Sequence, residues 1–307
     1  MVGALLTSLF FAGTAVCANR SARLLGSARA NLWRLLVAAA VLGTWATLWG
    51  RGLGGGALPL FFVSGVIGFG IGGVAMFYAL PMIGSNLAML IVQCGSAVFA
   101  ATVEWLWLGT TLSPIQIAFS LVILTGVGIG LRSQAARQHS LSEALPVRRL
   151  AVGIGWAVLS AFGQGFSAVV SRKAFFVLKQ NHVLLDPGTS AYQRVLGGLA
   201  VGLATVLVLV VFRTLGKRVA GLRGEGSLKE ATPWIALNAL LGPILGVTCY
   251  QWALRTTPAG IVLPLVATAP LLTMPLAWLM EGSRPTKSYY IAAFFAVLGT
   301  IGLQVWK

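Results

Sequence analysis

Acidic side chains are scarce in this sequence: six Asp and Glu stand against 22 Lys and Arg in 307 residues. No acidic pair and no His/Asp cluster falls inside an apolar run, which argues against acid–base chemistry by a carboxylate dyad. Histidine is rarer still. His139 and His182 both lie in polar segments and are expected to be ordinary solvated residues. The three cysteines, Cys17, Cys94 and Cys249, are scattered through apolar stretches. They are too few and too far apart for a disulfide framework or a metal cluster, so no metal site and no cofactor is implied. Charge of either sign makes up 9% of the chain, against about 25% in a typical soluble domain. No nucleotide-binding motif is present, which argues against ATP drive within this chain. No basic segment precedes the first apolar run, so a cleaved signal peptide is not expected.

What remains is apolar. Hydrophobic residues make up 57% of the chain, and the mean hydropathy is +0.88. The net charge of +16 would suit nucleic acid, but the arginines sit between apolar runs and form no basic face. Basic residues in short loops instead set membrane orientation. A spanning helix needs ~20 mostly apolar residues, because lipid cannot satisfy an exposed backbone. Ten runs meet that need, at about 2–18, 32–50, 57–80, 84–108, 114–131, 150–171, 191–212, 233–254, 258–280 and 288–306. They are continuous rather than alternating, which excludes a strand barrel. The polar stretch 132–149 divides them five and five, and 213–232 reads as a charged, glycine-rich loop. The mixed stretch 172–190 has room for a short interfacial helix.

The two halves align. A shift of 174 places Pro59 on Pro233, Gly68 on Gly242 and Gly72 on Gly246. The third span of each half thus carries a Gly-xxx-Gly pair, a spacing that lets helices approach closely in lipid. A shift of 173 places Gly126 on Gly299, 160 places Arg34 on Arg194, and 152 places Arg20 on Arg172. The same landmarks recur in order, which indicates duplication. Five is odd, so the second copy enters the membrane from the opposite side. The expected fold is an all-α integral membrane protein of ten transmembrane helices in two inverted-topology five-helix repeats, 1–131 and 150–307, joined by the central loop 132–149. Such repeats enclose a site near the bilayer midplane in many secondary transporters.

Two stretches carry a family resemblance. ALPMIGSNLAMLIVQCGSAVFAATVEWLWLGTTLSPIQIAFSLVILTGVGIGL in the first half and ALRTTPAGIVLPLVATAPLLTMPLAWLMEGSRPTKSYYIAAFFAVLGTIGL in the second resemble the back half of an EamA domain of the drug/metabolite transporter superfamily. NLWRLLVAAAVL, residues 31–42 with Arg34, resembles that domain's second helix. Pro81 replaces the arginine of the first turn, which Arg255 keeps in the second. Thr110 stands in place of a turn glutamate, and Glu281 precedes Gly282 instead of following it. The resemblance implies a ten-helix exporter or exchanger of small metabolites such as amino acids. It implies a multi-pass protein of a bacterial-type inner membrane, with a small-molecule substrate, the lipid bilayer and in some members a proton as partners. The motifs report the scaffold and leave the cargo and the oligomeric state open. Lys and Arg concentrate in the loops after odd-numbered spans, which puts both termini outside the cytoplasm; the family is usually drawn with both inside. A C-terminal reporter fusion separates the two.

The midplane lies ~10 residues into each span. That depth singles out 69–73 and 243–246 in spans three and eight, Gln93 and Ser96 in span four, Thr268 in span nine and Gln164 in span six as substrate-binding candidates. Phe77, Tyr78, Gln251 and Trp252 lie toward span ends and are candidates to line an entrance. For each the plain alternative is an interhelical hydrogen bond, packing or an aromatic belt. Pro243, Pro264, Pro270 and Pro275 interrupt spans eight and nine, as kinks or as exposed carbonyls. Arg20, Arg34, Arg172 and Arg194 sit at span ends, either snorkelling to headgroups or forming an electropositive vestibule for carboxylate-bearing cargo. Glu104 is the lone acid inside a predicted span. It lies ~20 residues along its helix, between Val103 and Trp105, so an interfacial or vestibular charge is expected there; a proton-coupling role is the alternative. Its counterparts in the second repeat, near Ala277 and Trp278, are not acidic. Two other classes fit the sequence less well. One is a non-transporting receptor or assembly protein; the other is a lipid-modifying intramembrane enzyme using Ser167, for which no span supplies a histidine base.

Overall fold

The computed structural model describes residues 1–141, 147–215, 221–222, 224–269, 271–272 and 287–305. Its helices are α1 (Val2–Leu25), α2 (Ser27–Leu48), α3 (Leu58–Gly65), α4 (Gly73–Leu108), α5 (Pro114–Leu141), α6 (Val147–Gln180), α7 (Pro187–Thr214), α8 (Leu228–Ala239), α9 (Val247–Thr256), α10 (Ala259–Val266) and α11 (Lys287–Val305). Two π-helical turns, Val66–Gly72 and Leu240–Gly246, join α3 to α4 and α8 to α9. No strand occurs among the described residues. Seven segments are long and apolar enough to cross a membrane: Val2–Leu25, Ser27–Leu48, Leu58–Ile83, Ile91–Leu108, Arg148–Gln180, Pro187–Thr214 and Leu228–Thr256. Pro114–Ile129 and Tyr290–Leu303 are shorter apolar helices. These nine fall on nine of the predicted runs. The remaining run, 258–280, begins as α10 and continues outside the described residues, as do Pro270, Pro275, Ala277, Trp278, Glu281 and Gly282.

Secondary structure is one continuous helix across Gly73–Leu108, yet it cannot be straight. Before the reversal it runs antiparallel to α6: Arg149 donates to the Pro81 carbonyl, and Gly163 abuts Gly72. After it the two run parallel: Gln164 meets Gln93, and Arg172 meets Glu104. A straight helix would set Gly72 and Gln93 ~31 Å apart, but both touch the same turn of α6. The chain therefore folds back between Ile83 and Ile91. Pro81, which lacks an N–H and clashes with the preceding turn, lies just before the bend.

Helix boundaries differ from the sequence reading in two stretches. The 132–149 stretch is not all loop, because α5 extends to Leu141 and α6 starts at Val147. Arg132–Leu141 contains no Gly or Pro to stop a helix. In 172–190 there is no separate interfacial helix. Instead α6 runs to Gln180 and α7 starts at Pro187. The Asp186 side chain accepts from the Thr189 N–H at 2.8 Å, and Pro187 occupies the first turn. Such a start, worth ~1 kcal/mol, is set by capping and not by apolarity, so it precedes the apolar run.

The inverted symmetry is visible in reciprocal contacts. Both π turns are offset by the same interval, 240 − 66 = 174 and 246 − 72 = 174. On α5 and α11, a side chain at Gly126 would press on the Ala292 carbonyl, and one at Gly299 on the Phe119 carbonyl. The shift of 173 maps Gly126 to Gly299 and Phe119 to Ala292. Equivalent residues thus exchange equivalent contacts between antiparallel helices, as a local two-fold axis requires. The repeats also interlock. The third span of the first repeat packs on α6, the opening helix of the second. The eighth span packs on α1, with Gly3 against the Cys249 carbonyl and Gly13 against Leu241. Buried hydroxyls tie these seams. Ser64 Oγ lies 2.7 Å from the Ser167 carbonyl and 2.8 Å from Ser171 Oγ, and Ser8 Oγ donates to the Leu265 carbonyl at 2.8 Å. In lipid such bonds are worth ~0.6 kcal/mol on average.

Candidate functional site

A cavity of about 130 Å³ lies between the repeats. Helix α1 lends Phe11 and Thr14, and α2 lends Arg34. The third span contributes Gly68, Phe69, Gly73, Met76 and Phe77; the fourth adds Met89 and Gln93. From the second repeat come Ser160, Gln164 and Ser167 of α6, Arg194 of α7, and Gly242, Pro243, Val247 and Tyr250 of the eighth span. The repeat shift of 174 pairs Gly68 with Gly242, Phe69 with Pro243, Gly73 with Val247 and Met76 with Tyr250. Each set follows an i, i+4, i+7 face of its helix. Arg34 and Arg194 are likewise paired, by 160. The wall is therefore built twice from one pattern, with the side chains allowed to diverge.

Arg34 and Arg194 are buried, at 8% and 3% exposure, so the snorkelling expected of span-end arginines does not occur. Each lies about two turns inside its helix and points inward. Arg34 donates through Nε to Asn31 Oδ1 at 3.0 Å, and its guanidinium lies 4.8 Å over the Phe77 ring. Arg194 donates to Gln251 Oε1 at 3.0 Å and to Ser167 Oγ at 3.2 Å, with the Phe69 and Tyr250 rings at 5.2 and 5.8 Å. Each ring face contributes roughly 0.5–2 kcal/mol. Gly68 and Gly73, on the first π turn and just after it, have no Cβ to obstruct the guanidinium nitrogens of Arg194 and Arg34. Among the described residues neither arginine has a carboxylate within 4 Å.

The other sequence candidates separate by position. Gln93 and Gln164 both line the cavity and meet there, Gln164 Nε2 donating to Gln93 Oε1 at 3.2 Å. Phe77 lines it beneath Arg34. Ser96 is buried outside the lining and donates to the Gln93 carbonyl at 3.0 Å; Thr268 likewise turns back to the Leu265 carbonyl at 2.7 Å. Gln251 is buried behind the wall and orients Arg194. Tyr78 stacks on Trp156, ring centroids 5.5 Å apart, and Trp252 faces outward. Arg20 is exposed at the end of the first span.

Glu104 is buried in protein rather than exposed at its span end. It is 2% exposed. One carboxylate oxygen sits 3.5 Å from Arg172 Nε, and the other accepts from the Gly260 N–H at 3.0 Å, at the start of α10. Arg172, itself buried rather than snorkelling, also donates to the Leu254 carbonyl at 2.8 Å and lies 4.9 Å over the Phe176 ring. Position along the helix does not encode which way the side chain faces, and facing decides its surroundings. Gln93, Ala97, Ala100 and Glu104 form one buried stripe, while Trp105, Leu106 and Trp107 are exposed on the other side. Counting reversals from the N-terminus, the ends of spans four, six and eight and the start of span nine share the face on which the chain begins. The Glu104–Arg172 cluster therefore ties the first repeat to the second at that face. The cavity lining reaches the opposite way, to Ala18, Met76 and Met89.

Residues that sequence reasoning missed include Phe11, Thr14, Met76, Met89, Ser160 and Tyr250. Ser167, weighed only as a nucleophile, holds Arg194 and donates to the Gln164 carbonyl at 3.0 Å. A signal for Tyr250 was present: it stands i+7 from Pro243, on the face defined by the repeated glycines.

Comparison with known proteins agrees with this architecture. The model of the EamA-like transporter family matches residues 1–131 and 151–304. No curated protein matches the chain. One solved crystal structure, described simply as that of a protein, is similar over 98% of this chain and 96% of its own, with 19% identity and a TM-score of 0.70. At that identity the likeness bears on fold alone. The family match covers nearly the whole chain in two tandem units, and the protein belongs to the EamA-like transporter family.

Proposed function

We propose that this membrane transporter is a secondary carrier that moves a small polar metabolite, such as an amino acid or related compound, by alternating access at the central cavity. It works as an exporter or exchanger, in a bacterial-type inner membrane. The observation that carries the reading is the twice-built wall: Gly68/Gly242, Phe69/Pro243, Gly73/Val247, Met76/Tyr250 and Arg34/Arg194 face one space from opposite repeats. A site shared by inverted halves is exposed to one side or the other as the halves rock. In this state the Glu104–Arg172–Gly260 cluster closes the N-terminal face. Opening that face breaks those contacts. Glu104 thus serves closure: it does not line the cavity, and its carboxylate is engaged by Arg172 and the Gly260 N–H, which argues against proton coupling through it.

The test is flux into proteoliposomes from a panel of amino acids, organic acids and amines. Saturable movement of one class is the expected result. Absence of saturable flux across the whole panel, with folded protein, would remove the carrier reading.

A further inference from the structure

The transport reading leaves the cargo class open, and the charges around the cavity narrow it. We propose that the cargo is a small organic dianion, one acidic group held at Arg34 and the other at Arg194. The inference rests on the carrier reading for the word cargo, but not for binding.

Three observations converge. The first is charge balance. The described lining residues contain two arginines and no Asp, Glu or Lys. A buried cation within the bilayer requires a partner or a wet cavity. The third buried arginine, Arg172, has its carboxylate in Glu104. Arg34 and Arg194 have neutral acceptors and aromatic faces in place of one. Two uncompensated positive charges are matched by a ligand of charge −2.

The second is an excess of donors. Arg34 Nε donates to Asn31, and among the described residues no acceptor engages its two terminal nitrogens. On the cavity-lining Arg194 and Tyr250, the Nε and the hydroxyl are buried without a partner among the described residues. Unpartnered buried donors suit an acceptor-rich ligand such as a carboxylate or phosphate, and guanidinium forks match both.

The third is placement. The arginines come from different repeats and approach neighbouring parts of the third span, at Gly68 and Gly73. A cavity of ~150 Å³ holds a ligand the size of benzene, so 130 Å³ confines the ligand to a small one, on the scale of a short dicarboxylate. A rigid bridge of that size links the two repeats.

The same chemistry could come from the headgroup of an acidic lipid, and the experiment separates the two. Detergent-purified full-length protein is titrated with succinate, glutarate and glycerol phosphate, with butyrate, glutamine and putrescine as controls of similar size. At least one dianion is expected to bind, at least tenfold tighter than butyrate and glutamine, with no binding of putrescine. Arg34→Gln and Arg194→Gln should each weaken it about 10–100-fold, the range for a lost charge-assisted hydrogen bond. Arg34→Lys and Arg194→Lys keep the charge, should fold, and should lose less. Equal or tighter binding of the neutral or cationic probes overturns the proposal. So does failure of all three dianions to bind, or binding indifferent to both arginines.

Flux of the bound dianion is then measured in phosphatidylcholine vesicles with and without phosphatidic acid. Saturable flux in both identifies a free metabolite. Binding that phosphatidic acid displaces, with no flux of the dianion in either vesicle, identifies a headgroup site and overturns the cargo claim. Saturable flux of a zwitterion by a protein that binds no dianion would sink the dianion and leave the carrier reading standing.

Discussion

The contact between Glu104 and Arg172 allows a quantitative test of how the N-terminal face is closed. At 3.5 Å and an effective dielectric of about 20, the Coulomb attraction is roughly 332/(20 × 3.5), about 5 kcal/mol. Desolvation of both groups offsets much of that, so the pair is not expected to be worth its full attraction. Removing one partner is different. Glu104→Gln leaves the buried Arg172 guanidinium uncompensated, at a cost of ~3–5 kcal/mol. The new amide still accepts from the Gly260 N–H, which limits any further loss. Arg172→Gln leaves the carboxylate in the same position and also loses the donor to the Leu254 carbonyl. The double variant removes both charges. It should therefore be no less stable than the worse single variant, with a coupling energy of at least ~2 kcal/mol. Thermal unfolding of the four purified proteins measures this. Losses that simply add, or a Glu104→Gln variant as stable as the parent, would refute the buried-pair account and restore an exposed charge. A thiol probe at the N-terminal face supplies the functional readout. Breaking the pair should raise its access to Ser167→Cys, in a background freed of Cys17, Cys94 and Cys249.

Other outcomes follow from the same geometry. Gly72→Leu should disrupt the seam with α6, where Gly163 lies against the Gly72 backbone; a loss of ~1–3 kcal/mol or more is expected in thermal unfolding. Gln93→Leu strands the Gln164 amide and should cost ~1–3 kcal/mol, while the Gln93→Leu/Gln164→Leu pair recovers part of the stability but not the flux. Trp252→Ala, on an outward face, should leave saturation of flux by cargo unchanged. Glu104→Gln should leave the shape of the pH profile of flux unchanged while altering its maximum; a flattened profile would reinstate proton coupling through this residue.

Much of the scaffold was legible in the residues because lipid imposes simple rules. Run length reported the spans, and glycines recurring at a fixed interval reported the duplication. The offset of 174 recurs in both π turns and in the cavity wall. What run length does not encode is azimuth. Trp105 and Trp107 suggest a headgroup setting for Glu104, but they lie exposed on the other side of the helix while the carboxylate turns inward. Arginines near span ends looked free to snorkel, yet Arg34, Arg172 and Arg194 turn inward to rings and carbonyls brought from other helices. Ser96 and Thr268 have the depth of site residues, but each spends its hydroxyl on its own helix. Helix ends were misjudged where capping rather than apolarity decides, as at Asp186. Tyr250 was overlooked for a different reason. Its depth alone was unremarked, and the combination of helical period with the repeat offset brings it to the cavity.

The claim that the cavity is the route taken by cargo is tested most directly by filling it. Gly73→Trp places a large side chain beside the Arg34 guanidinium, at the point where the wall is built from both repeats. In proteoliposomes the parent should show saturable flux of its cargo. The variant, folded by the criterion of its thermal transition, should show none. Equal saturable flux through a folded Gly73→Trp protein would contradict the account.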